Sequence, residues 1–591
     1  MWPARGRAPR LRRTRSIRAT CGPETTLTVG LDSRAIPRRS QRKEPTMWGA
    51  SMNGMDDAAL GSAPCVGDEN TLQVLLVASE IVPLAKTGGL ADVCGALPTA
   101  LARLGIDVRL MMPAYPEALA RLVAPRQVAD LGELLPGAFV RLIAGSMPDS
   151  RLPIWLVDCP ALYDRPGTPY QDASGCEWED NAQRFGVLCH AAARVALGHA
   201  VPGWRADVVH AHDWHTGLVP LLVALSGQPR PRTIFTIHNA AFQGNFPLGL
   251  AEQLGLPQDT LTPDGIEFYG QLSFLKAGVR YADKVTTVSP TYAKEICTPE
   301  FGFGMDGVFR ARSADLVGIL NGIDVQHWDP CTDPHLSRNY SCNDLRGKES
   351  CKADEQRRLS LNVDTSAPLA IFISRLTWQK MADVLLERLP DMLTRHPRLQ
   401  FALHGRGESK LEAGFARMAA CFPGRASVQI GYEEARAHRL HAAGDILLHG
   451  SRFEPCGLTQ MYAMRYGTVP VVRRVGGLAD SVRDAGIHDR RAPDATGFVF
   501  DDATGEAMES ALTRCLSLYE RRPKRWSELR KHAMSGDFGW TRSAASYARI
   551  YLELAGKRIS LPGRRMPVCA GASTDHEPTA ASGAGRQQAI L

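Results

Sequence analysis

The stretch LQVLLVASEIVPLAKTGGLADVCGALPTALARLG, Leu72–Gly105, decides how the chain is read. Its opening LQVLLVASE is short, apolar and rich in Val and Leu, as in a parallel strand covered on both faces. Its close places Leu90, Val93, Leu97, Leu101 and Leu104 at helical spacing. Between strand and helix stand Lys86, Gly88 and Gly89. Glycines there let backbone approach a ligand, and the free amides of a helix start suit an anion. An ordinary tight turn is the alternative for a lone Gly-Gly, so the rest of the chain has to decide.

The same grammar repeats along 591 residues. Strands are expected at LQVLLVAS, DVRLMMP, PIWLVD, DVVHAHD, RTIFTIH and KVTTVS, then at LAIFIS, LQFALHG, VQIGY, ILLHG, VPVVRR and GFVF, with helices such as ADVLLERLPDMLTRH between. Alternation of this kind, twice over, implies an α/β fold of two doubly wound, Rossmann-like domains facing a cleft. The boundaries read from sequence are 72–320 for the first domain and 321–535 for the second, joined near GILNGIDVQHWDP.

The composition, 44% apolar and 22% charged, is that of a globular chain. No apolar run approaches the roughly 18 residues of a membrane span. The 14 cysteines form no CxxC or Cys/His ligand pattern and read as reduced core thiols. The net charge of +7 misleads, because residues 1–46 carry twelve Lys and Arg against three Asp and Glu. That leaves 57 basic and 59 acidic residues elsewhere, so a nucleic-acid surface is not indicated. The basic segment reads as a transit peptide, a basic arm or sequence upstream of the true start, the last being favoured, with Met47, Met52 and Met55 as candidate starts. Residues 1–71 and 558–591 are expected to be disordered.

Charged residues recur at strand ends. SRLTWQKMAD sets Arg375 and Lys380 in a loop entering a helix, where a guanidinium and an ammonium suit a diphosphate, although solvated charges are the commoner use of one basic pair. Glu454 in SRFEPCGLTQ precedes a helix and could merely cap it. VGGLAD at Gly476 is a second glycine turn entering a helix.

In their order, KTGGLADV, HAHDWHTGL, TIHNAAFQG, YGQLSFLKAGVRYADKVTTVSPTYAKEI, GILNGIDVQHWDP, SRLTWQK and SRFEPCGLTQMYAMRYGTVPVVRRVGGLADSV resemble bacterial glycogen synthase and plant starch synthase, from about Leu72 to Leu554. The resemblance implies a GT-B fold, a final helix (536–557) crossing back to the first domain, and retaining transfer of glucose from ADP-glucose to an α-1,4-glucan without metal or cofactor. It implies that Lys86, Gly88, Gly89 and Asp92 serve the donor side, that Arg375 and Lys380 neutralise the diphosphate, and that His238 contacts the glucosyl group. Glu454 is implied beside the sugar ring, and Tyr432 against adenine. Thr459 and the amides after Gly457, including Leu458, are implied at the distal phosphate beside Cys456. Asp213 and Asn321 match cleft-facing positions. His212, His215 and Trp214 are read as core or supporting residues, and Cys456 as a packed thiol.

Three positions depart from the family pattern. Met381 replaces a usual glycine after QK, which is expected to shift the Lys380 loop. Gly450 replaces a usual proline, which is expected to loosen the approach to Glu454. Tyr462 stands where many related transferases have a second glutamate. Competing readings are a sucrose- or trehalose-phosphate synthase, a phosphorylase, for which no pyridoxal-phosphate lysine motif is seen, or a glucan-binding scaffold without turnover. A bacterial cytoplasmic location is favoured over a plastid, and oligomeric state is left open.

Overall fold

The computed structural model describes residues 71–486 and 494–557; both expected disordered tails lie outside them, apart from Thr71. Eighteen strands occur in chain order among the described residues: β1 Gln73–Val77, β2 Asp107–Pro113, β3 Val123–Leu135, β4 Ala138–Ser146, β5 Pro153–Asp158, β6 Val208–His212, β7 Arg232–Ile237, β8 Asn245–Pro247, β9 Glu267–Phe268, β10 Gln271–Ser273, β11 Lys284–Thr287, β12 Leu316–Gly318, β13 Leu369–Ile373, β14 Gln400–Gly405, β15 Ala426–Ile430, β16 Ile446–His449, β17 Val469–Arg473 and β18 Phe498–Phe500. Nine build one sheet in the order β12-β11-β7-β6-β1-β2-β5-β4-β3, and six build another in the order β15-β14-β13-β16-β17-β18. All twelve strands expected from apolar runs are present. The VQIGY strand begins two residues earlier, at Ala426, and ends at Ile430, before Gly431 at φ +133°.

The second sheet is wholly parallel, but the first carries an antiparallel edge, β3 against β4 and β4 against β5. This edge escaped the sequence reading. Its residues alternate between buried and exposed in β4 and are largely solvent-facing in β3, so no continuous apolar run marks them.

Strand order places the candidate site. In the first sheet β1 lies between β6 and β2, and in the second β13 lies between β14 and β16. The chain therefore winds both ways from β1 and from β13, and crevices open beyond the carboxyl ends of β1/β6 and β13/β16. The glycine loop follows β1, Asp213 follows β6, Arg375 and Lys380 follow β13, and Glu454 follows β16.

The last helix, Thr541–Ala555, buries Ala544, Tyr547, Ala548 and Tyr551 in the core of the first sheet. Tyr551 Oη lies 2.7 Å from His210 Nδ1, and His210 Nε2 lies 2.6 Å from Thr236 Oγ1, so both ring nitrogens of a fully buried histidine are satisfied. The amide of Ile323 donates to Phe538 O at 2.8 Å where the two crossings meet. Tyr551→Phe strands one imidazole nitrogen and is expected to lower unfolding stability by about 1–3 kcal/mol in urea titrations. An unchanged midpoint and slope would show that the return helix is held by apolar packing alone.

Candidate active site

Beyond β16 the chain turns through Ser451–Gly457 and brings Glu454 to a buried position, 5% exposed. Its Oε2 is contacted by Lys380 Nζ, accepts from Ser451 Oγ at 2.8 Å and lies 3.3 Å from His449 Nε2. Burial pushes the carboxyl up, but the Lys380 charge and the His449 contact outweigh it and hold Glu454 well below the usual carboxylate range. The group is an ionised carboxylate away from bulk water. It caps nothing: the helix Thr459–Arg465 begins at Leu458 with no side-chain cap.

The Glu454 turn is fixed from behind by the second glycine motif. Gly477 N donates to Glu454 O at 3.1 Å, and Gly476, at φ +46°, passes so close that a Cβ would sit 1.8 Å from that carbonyl. Only glycine fits. Gly476 N in turn donates to Glu295 of the first domain at 3.0 and 3.1 Å.

Lys380 ends a short 3₁₀ turn, Trp378–Lys380, and its ammonium reaches Glu454. Lys380 makes this contact with methionine at position 381. Met381 takes the left-handed conformation (φ +52°) that glycine would take, and its fully buried side chain fills the space beside Gly450. A Cβ on Gly450 would lie 3.3 Å from Met381 Sδ and 2.6 Å from Met508 Cε. These two methionines pack the space beside Gly450. The two departures are one exchange of volume. Tyr462, the third, stacks on Trp328 at 3.9 Å.

Arg375 is exposed, and its guanidinium makes no hydrogen bond or ion pair among the described residues. Across the cleft Lys86 Nζ lies 2.9 Å from Asp92 Oδ1 and 2.9 Å from Glu434 Oε2, linking the glycine loop to the second domain. Tyr432 Oη donates to the same Glu434 oxygen at 3.1 Å, and its ring is 72% exposed. A Cβ on Gly89 would lie 3.6 Å from Leu458 Cδ1, so the two loops face each other. Gly88 stands in the exposed loop beside it.

His238 Nε2 lies 3.0 Å from His212 Nδ1, and burial lowers His238 to about 3, so the imidazole is neutral. Burial pushes Asp213 up to about 7, against the amides of Trp214, His238 and Asn239 that favour its ionised form. His215 stacks on Tyr170 at 4.6 Å, a packing role. Burial raises Cys456 to about 12, against the hydrogen bonds with Asn321 that favour the thiolate, leaving an inert thiol. Gly457, at φ +71°, turns the chain into Leu458 and Thr459. A cavity of about 1100 Å³ lies against the return helix and touches Asn321 but none of Lys86, Arg375, Lys380 or Glu454.

Sequence reasoning missed Glu80, Glu295, Glu434, His449 and Ser451. Glu80 is buried beneath the glycine loop and accepts from Thr87 N–H. Its signal was a carboxylate directly after an apolar strand.

A profile described as starch synthase catalytic domain matches residues 73–311, and one described as glycosyl transferases group 1 matches residues 354–532. The chain is 60% identical to glycogen synthase of Burkholderia thailandensis over 484 residues, 82% of this chain and 91% of that one. The chain belongs to the glycogen synthase family. It is also 52% identical to glycogen synthase of Ralstonia nicotianae, over 83% of this chain and 90% of the relative. The solved catalytic domain of starch synthase IV from Arabidopsis thaliana, bound to ADP and acarbose, superposes with a TM-score of 0.75 at 32% identity, covering 82% of this chain and all of that one. The two-domain GT-B architecture and glycosyltransferase class are thus those of the family. A sucrose-phosphate synthase shares the fold at 16% identity.

Two expectations follow. Met381→Gly relieves roughly 1–2 kcal/mol of left-handed strain but empties a buried methionine site worth about 2–5 kcal/mol, so it should destabilise. Gly450→Pro should destabilise the parent and do so less in the Met381→Gly background, a coupling of about 0.5–3 kcal/mol by double-mutant cycle. Strict additivity would show that the positions are independent.

Burial pushes Glu80 up to about 7 despite the Thr87 amide, which favours the charged form. A carboxyl raised in the folded state stabilises below its ordinary pKa, and that contribution fades as pH rises through the folded value. Relative to Glu80→Gln, the parent should therefore lose about 1–2 kcal/mol between about pH 5 and pH 7. Parallel stability profiles would mean that Glu80 titrates normally.

Proposed function

We propose that the chain transfers glucose from ADP-glucose to the non-reducing end of an α-1,4-glucan with retention of configuration, as a bacterial cytoplasmic glycogen synthase. The observation that carries this reading is the buried, ionised Glu454 paired with Lys380, with the unpaired Arg375 guanidinium in the same β13–helix loop as Lys380. A fixed negative charge beside the sugar favours oxocarbenium character, and cations aimed at the diphosphate stabilise the leaving group as the glycosidic bond breaks. Lys380 rests on Glu454. A bound diphosphate offers it a second anionic partner, so the lysine bridges sugar and phosphate sites without moving between domains.

The exposed Tyr432 ring offers a stacking face for a base, and Lys86 with the Gly88–Gly89 amides faces the same side. The neutral His238 can hydrogen-bond a sugar hydroxyl, through its side chain or its own carbonyl oxygen, without adding positive charge where an oxocarbenium ion forms. Asp213, Asn321, Cys456, Gly457, Leu458 and Thr459 complete the donor side in this reading, and the transfer needs no metal or cofactor of its own. The glucan scaffold without turnover is disfavoured, because Glu454 is kept charged in a buried site at an energetic cost that a passive surface does not need.

The test is incorporation of labelled glucose from ADP-glucose into glycogen, with α-amylase sensitivity of the product. The parent should be active, with ADP-glucose preferred to UDP-glucose. Arg375→Ala should stay folded, since the side chain is unpaired, and should lose roughly 3–4 kcal/mol of transition-state stabilisation, a hundredfold or more in kcat. Lys380→Ala should additionally lose thermal stability, because it leaves Glu454 buried and unpaired. No transfer by the parent from either nucleotide sugar, or a parent-like Arg375→Ala, would contradict the proposal.

A further inference from the structure

Outside the proposed reaction centre, three side chains converge at the seam between the domains. His327 comes from the segment that joins the two sheets, and Glu434 and His438 occupy successive turns of the helix Glu434–Ala443. One ligand atom from each lies within 4.8 Å of the other two. His327 Nε2 and Glu434 Oε1 are already 3.0 Å apart.

His438 is the informative member. Its Nδ1 is 2.7 Å from Asp333 Oδ2, a carboxylate that also accepts from Tyr466 Oη at 2.5 Å. The carboxylate holds the proton on Nδ1 and leaves a lone pair on Nε2. That nitrogen is buried and has no hydrogen-bond partner, and the side chain is only 1% exposed. Trp328 stacks on the ring at 3.8 Å and 9°, so it cannot turn to seek one. A buried acceptor without a partner costs about 1–3 kcal/mol, and a carboxylate fixing a histidine tautomer from behind is the arrangement that orients metal-binding imidazoles.

We propose that His327, Glu434 and His438 form a binding site for a divalent transition ion of the zinc class. Two imidazoles and one carboxylate oxygen select zinc, copper or nickel over magnesium or calcium. Bonds of about 2.0–2.1 Å require donors roughly 3.3 Å apart, and His327, half exposed, is the ligand with room to close the remaining gap. The fourth position faces solvent on the His327 side. The ion takes Glu434 Oε1, while Oε2 keeps Lys86 and Tyr432, so the metal ties the glycine loop, the interdomain segment and the second domain together. Its role is to stiffen the seam beside the donor side and to take no part in glucosyl transfer.

Tag-free, chelator-stripped full-length protein should bind one equivalent of Co²⁺ with the visible absorption of four-coordinate nitrogen and oxygen ligation and without thiolate charge transfer. Zn²⁺ should displace the cobalt and raise the melting temperature by about 2–4 °C, while Mg²⁺ should not. His327→Asn should lose the cobalt spectrum and the zinc shift, yet keep the melting temperature and transfer rate of the metal-free parent. The proposal is overturned if His327→Asn binds as the parent does, if neither ion binds the parent, or if thiolate charge transfer dominates, which would place the metal on exposed cysteines such as Cys331 or Cys421.

Discussion

The contact between Lys380 and Glu454 is the interaction on which the catalytic cleft depends. A carboxylate removed from water reverts to its neutral form unless an opposite charge and hydrogen bonds hold it, and here Lys380, Ser451 and His449 do so together. Loss of one member of such a pair costs far more than the pair contributes to folding, about 3–5 kcal/mol. The arrangement is therefore better understood as preorganised charge for a reaction than as a support for the fold. Everything around it constrains position. Gly476 and Gly477 fit against the Glu454 and Cys456 backbone, where a Cβ would come within 1.8 and 2.2 Å of their carbonyl oxygens, and Met381 and Met508 fill the space beside Gly450.

The second constraint is the seam between the two sheets. Glu295 of the first domain accepts from Gly476 N, Thr291 donates to Asp480 through both its amide and its hydroxyl at 2.9 and 2.6 Å, and Lys86 reaches Glu434. Lys86 is itself a proposed donor-side residue, and Gly476 packs on the Glu454 carbonyl, so two of these contacts reach the candidate site.

The sheets were legible because the expected strands are short, largely apolar runs bounded by glycine or charge, as burial on both faces demands. The β3–β4 edge was hidden because one face meets water. Among the candidate site residues, which lie in long ordered motifs, the structure brings Lys380 to Glu454, Lys86 to Asp92, His238 to His212, and Gly89 to Leu458. Residues that support them were not found. Glu80, Glu295 and Glu434 are ordinary carboxylates in sequence, and only tertiary neighbours distant along the chain, or burial under a loop, distinguish them. Met381 and Gly450 looked like two defects because their compensation is a matter of shared volume, which spacing along one chain does not reveal.

The central claim is that the charge on Glu454 promotes transfer. Glu454→Gln keeps the size of the side chain and much of its hydrogen bonding while removing that charge. Measured at saturating ADP-glucose with glycogen as acceptor, it should show kcat lower by a hundredfold or more, with ADP affinity by calorimetry within a few-fold of the parent. Transfer at the parent rate would contradict the account.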